Sequence, residues 1–71
     1  MNHKVGDKIC VHGYWGTILE IQVVPGADPG RTKTRFKVHF DDCDISNTSY
    51  DDAWYGCYTE HVDEVYAFKE V

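Results

Sequence analysis

Two aromatic pairs, Tyr14-Trp15 and Trp54-Tyr55, accompany Tyr50, Tyr58 and a run of carboxylates, Asp41, Asp42, Asp44, Asp51 and Asp52. Ring faces beside carboxylates attract a cation, each good contact contributing about 0.5–2 kcal/mol according to its desolvation. The plainer reading is that the rings fill a core, because a small domain with a single Leu needs large side chains inside it. Either Trp15 or Trp54 could be such a core ring. A second pattern is basic: Arg31, Lys33, Arg35 and Lys37 recur at every other position. That stripe could follow a phosphate backbone. The net charge of −5 and the pI near 5.1 run against a nucleic-acid footprint. Cations on a wet strand face also protect it from stray edge pairing, and acidic side chains on neighbouring strands neutralise them.

Nucleophilic and metal chemistry find less support. Cys10, Cys43, Cys57, His12, His39 and His61 lack the paired spacings by which zinc sites in small domains announce themselves. No nucleophile elbow, phosphate-cradling glycine loop or metal-protease motif is present. A 71-residue chain is expected to have little room for a water-excluding pocket of about 300 Å³ or more. The expectation is a non-enzyme with no cofactor, no metal and no small-molecule substrate.

The elements that must position these residues follow from composition. Eight Val, four Ile, three Phe, five Tyr and two Trp stand against one Leu and three Ala. Pleated, half-buried surfaces favour β-branched and aromatic side chains, whereas helices favour Leu and Ala. The class is all-β, in one domain over residues 1–71 with a thin core. No apolar run approaches the ~20 residues that cross a bilayer, and the first residues carry no signal-peptide core. An odd cysteine count suits a reducing compartment. A cytoplasmic protein is expected, or a nuclear one if the source is eukaryotic. Charge is uneven along the chain: residues 1–40 sum to +3 and residues 41–71 to −8.

Alternation places the strands. Residues 8–12 read as a first strand with Ile9 and Val11 on one side, and 13–16 as a corner carrying Tyr14 and Trp15 at the rim. Residues 17–24 form a second strand, in which a bulge near Glu20 brings Ile18 and Ile21 to the same inward side. Residues 25–30 are a loop on turn chemistry. Residues 31–41 are the cleanest period-two segment: Thr32, Thr34, Phe36, Val38 and Phe40 face one way, Arg31, Lys33, Arg35, Lys37 and His39 the other. Residues 41–52 form an acidic loop of about a dozen residues, longer than a hairpin needs. Strand four spans 53–59, a tight helical turn 60–64, and a closing strand 65–68.

The pieces Val-Gly-Asp-x-Ile at 5–9, Gly-Thr-Ile at 16–18, Phe-Lys-Val-His-Phe-Asp-Asp at 36–42 and Val-Asp-Glu-Val at 62–65 together resemble the Src-homology-3-like barrels of the Tudor, chromo-barrel and KOW kind. The resemblance implies a small five-stranded antiparallel barrel with one short helical turn before the last strand. Tudor-type members bind methylated Lys or Arg in an aromatic cage. By that likeness the cage falls on Tyr14 or Trp15, on Phe40, on Asp42 or Asp44, and on Tyr50, Trp54 or Tyr55. KOW-type members are associated with ribosomal and transcription proteins, which implies a nucleic-acid role for Arg31, Lys33, Arg35 and Lys37. The leading expectation is a module that binds a protein partner, through a cationic or methylated segment, at the corner aromatics and the acidic loop. Two alternatives are the nucleic-acid-associated barrel and a stand-alone regulator or inhibitor of a host protein, of the kind phages and mobile elements encode.

Overall fold

The computed structural model describes residues 3–70. Its secondary structure is β1 (Lys8–Val11), β2 (Tyr14–Pro25), β3 (Thr32–Phe40), β4 (Ala53–Tyr58), a 3₁₀ turn (Thr59–His61), α1 (Val62–Val65) and β5 (Ala67–Lys69). The five strands form one antiparallel sheet in the order β4-β3-β2-β1-β5. The expected closure into a barrel is not made by backbone pairing among the described residues. β4 and β5 stand at opposite ends of the order, and β5, with three residues, pairs β1 alone. No helix among the described residues is long and apolar enough to cross a membrane.

Strand parity builds the core. Ile9 and Val11 of β1, Ile18 of β2 and Phe36, Val38 and Phe40 of β3 are buried together with Val62 of α1. Ile21, Ile45, Tyr55, Cys57, Tyr66 and Phe68 pack around them. β3 is thus two-faced as its alternation predicts, with Thr34, Phe36, Val38 and Phe40 inside and Lys33 and His39 exposed. Thr34 is buried with its hydroxyl on that of Thr59, 2.9 Å away, so the polar group is satisfied. The bulge is where the sequence places it. Ile18 pairs Val38 and Glu20 pairs Lys37, leaving Leu19 as the extra residue, so Ile18 and Ile21 share the inner side.

The first hairpin differs from expectation. β1 ends at Val11, which pairs Tyr14, and His12-Gly13 alone make the turn. Both have positive φ, 53° and 85°, the signature of a two-residue turn whose twist matches the strands. Tyr14 and Trp15 therefore belong to β2 and not to a corner. Gly16 is dictated by closeness: a Cβ there would lie 2.5 Å from Val38 Cγ1 and 2.8 Å from the His39 carbonyl. Other bounds shift as well: Thr59 opens the 3₁₀ turn in place of ending strand four, and the closing strand is Ala67–Lys69. Arg31 precedes β3, and Val65, expected in the closing strand, ends α1 with its side chain exposed. β2 outruns β1 by eight residues, so the β2–β3 hairpin overhangs the core and stretches the molecule to 40 × 25 × 18 Å.

Candidate functional site

Neighbouring residues of a strand point to opposite faces, and this sorts the aromatic pairs. On the inner face Tyr14 follows Ile18 and Gly16 in parity, and Tyr55 stands opposite Phe36. Trp15 and Trp54, one residue away from each, are turned outward. Neither tryptophan is a core ring. Arg35 lies over Trp54 at 4.8 Å and Lys69 over Trp15 at 4.2 Å.

At the β1–β2 turn end of the inner face, a concavity of about 360 Å³ is lined by Val11, His12, Tyr14, Phe40, Ile45, Tyr50 and Tyr55. The groove lies between the strand ends and the 41–52 loop and is open to solvent, so it is not the water-excluding pocket for which so short a chain is expected to have little room. Phe40 is the buried floor. Tyr14 stands edge-on to it at 6.4 Å and Tyr55 at 5.9 Å, while His12 meets Tyr55 edge-on at 6.0 Å. Edge-to-face packing of this kind holds ring planes at fixed angles. The Tyr55 hydroxyl donates to the Tyr50 carbonyl at 2.6 Å, tying β4 to the loop wall. Burial, then the neighbouring Tyr50 and Asp51, push the Tyr55 phenol above its ordinary pKa, so it stays neutral at physiological pH.

The loop wall is braced from behind. Asp51, its side chain 9% exposed, accepts the Phe40 backbone N–H at 2.8 Å and faces His39 Nδ1 at 3.1 Å. Asp52 Oδ1 lies 3.3 Å from the same nitrogen, and its backbone N–H donates to the Val38 carbonyl at 2.8 Å. These carboxylates fix the loop end that carries Tyr50 and do not line the groove.

Of the expected cage residues, the structure gathers Tyr14, Phe40, Tyr50 and Tyr55. It does not bring Trp15, Trp54, Asp42 or Asp44 into that space. Asp42 lies in an adjoining notch of about 340 Å³ with Gly13, Tyr14, Trp15 and Asp41. Asp44 sits in the loop turn, its N–H donating to Asp42 Oδ1 at 2.9 Å. Sequence pattern gives little sign of His12 or Ile45 at this space: His12 sits in the turn at positive φ, a conformation in which histidine is enriched, and Ile45, lone in a polar loop, carries no periodic signal.

The basic stripe is partly spent within the chain. Arg31 is bonded to Asp28 at 3.0 Å, paired with Glu60 and stacked on Tyr58 at 3.6 Å. Lys33 lies 5.4 Å from the same ring. Lys37 stands opposite Glu20 on β2 and Trp54 on β4. Among the thiols, burial raises the pKa of Cys57, which makes it a poorer nucleophile. A scan against protein-family models and searches of curated proteins and of solved structures return no match for this chain.

Proposed function

We propose that the chain is a non-enzymatic binding module that takes a methylated, cationic side chain of a protein partner into the aromatic groove. The observation that carries this reading is the convergence of Tyr14, Tyr50 and Tyr55 over Phe40, from three separate segments, around one open space. Ring faces supply negative potential to a cation without needing hydrogen-bond donors from it. Among the described residues no carboxylate lines that space. An unmethylated ammonium brings three N–H donors that require acceptors, whereas a quaternary ammonium brings none. The groove therefore favours the methylated form. The same reading keeps kinship with the Src-homology-3-like barrels as a proposal, supported by five antiparallel strands with a helical turn before the last.

The test is calorimetric titration with a short synthetic peptide carrying one trimethyllysine, against the same peptide with unmodified lysine. The trimethylated peptide should bind more tightly. Tyr55→Ala should weaken it by about 0.5–2 kcal/mol, roughly two- to thirtyfold. Equal affinity for the two peptides, or a folded Tyr55→Ala protein that binds as the parent does, would overturn the proposal.

A further inference from the structure

The near half of β2 has a strand on each side and the far half has one. Residues 14–17 pair β1, and Ile18 and its carbonyl are held by Asp7 and Gly6. Over residues 19–25 the strand runs beside β3, and among the described residues no strand pairs its other side. The hairpin end sets the polarity of that free edge. The Gly26 N–H donates to the Arg31 carbonyl at 2.9 Å, and bonded pairs alternate with non-bonded ones along an antiparallel ladder. Val24 and Gln22 therefore turn their backbone groups toward β3, whereas Val23 and Ile21 turn theirs to the open side.

The sheet's two terminal strands are guarded. β5 is three residues long and ends on Lys69, and α1 packs against β4. Short strands, lysines and covering helices are how proteins keep edges from pairing. The β2 edge has no such guard before Pro25. Its one charge is Glu20, and Val23 is 59% exposed.

We infer that this edge pairs with the same edge of a second copy of the chain, antiparallel about a two-fold axis at Gln22. That register satisfies the exposed backbone. With Gln22 facing its own counterpart, Ile21 of each copy stands opposite Val23 of the other, and the N–H and C=O groups of both residues bond in pairs. The neighbouring registers bring in Leu19 of the bulge, or Pro25, which has no N–H, and lose bonds. The side chains suit the same register. Ile21 and Val23 meet apolar to apolar on the inner face, and Glu20 faces Val24 instead of another carboxylate. A foreign strand would have to supply this pattern, whereas the edge supplies it to itself, as the isologous contact of a symmetric dimer requires. The groove, with Tyr14 at the opposite end of β2, stays open in such a dimer, so pairing and peptide binding are separate properties.

Sedimentation equilibrium of the whole chain over a concentration series tests this. A pairing of this size belongs to the small, transient class of interfaces. The mean mass should therefore climb from 8.2 kDa toward twice that value only as concentration rises to roughly 1 mM. Val23→Lys, which charges the edge and breaks no bond to β3, should keep the fold and stay monomeric throughout. Cys43, the exposed native thiol, is replaced by serine for a second measurement. In that background, under mild oxidation, Gln22→Cys should cross-link to a dimer and Val24→Cys should not, since only residue 22 meets itself across the axis. A parent chain that is monomeric at every concentration overturns the inference, whether or not the edge accepts an extended peptide of another protein. So does a Val23→Lys protein that dimerises as the parent does, or Val24→Cys cross-linking as fast as Gln22→Cys.

Discussion

At the scale of single residues, the site turns on which member of each aromatic pair faces inward. Tyr14 and Tyr55 meet Phe40; Trp15 and Trp54, one position away, meet Lys69 and Arg35 instead. A shift of one residue reverses the face, so the pairs were recognisable in the sequence while their orientation required the register. His12 stands on the groove wall beside Tyr14, Tyr50 and Tyr55, its ring edge-on to Tyr55. His12→Asn, a residue that tolerates the left-handed turn conformation, is expected to keep the fold and weaken trimethyllysine-peptide binding in calorimetry; unchanged affinity would remove His12 from the groove.

At the scale of elements, the groove exists because the β1–β2 hairpin and the β3–β4 loop are each held at a set height above Phe40. The hairpin depends on the close approach of β2 to β3 at Gly16, where a methyl group would strike Val38 and the His39 carbonyl. Gly16→Ala is expected to destabilise the fold by about 1–3 kcal/mol, the cost of overpacking a core site. That would appear as a lowered midpoint in thermal unfolding; an unchanged midpoint would mean that the strands part at little cost. The loop is braced by Asp51 on the Phe40 N–H. Much of this level was legible in advance. The alternation of β3, the bulge beside Glu20 and the helical turn before the last strand all follow from residue pattern. The closed barrel did not follow, because closure depends on whether β5 reaches β4, and its three residues are spent on β1. The 41–52 loop was legible only as acidic: its wall of Ile45 and Tyr50 depends on Asp51, Asp52 and the Tyr55 hydroxyl, contacts made across 3 to 14 residues without a repeating period.

At the scale of the whole molecule, charge is segregated but largely compensated. Arg31 meets Asp28 and Glu60, and Lys8 meets Asp41, so the basic outer face presents fewer free cations than its sequence suggests. Five carboxylates lie in the 41–52 loop beside the groove, three of them set against Lys8 or His39, and the net charge of −5 opposes a nucleic-acid backbone. The central claim is that the inner-face groove at the β1–β2 end is where the partner docks. Backbone amide NMR shifts, followed while a trimethyllysine peptide is titrated in, test it most directly. The account predicts the largest shifts at His12, Gly13, Tyr14, Phe40, Tyr50 and Tyr55, with little change at Lys33, Arg35 and Lys37; shifts confined to that basic face, or evoked there by an oligonucleotide in place of the peptide, would contradict it.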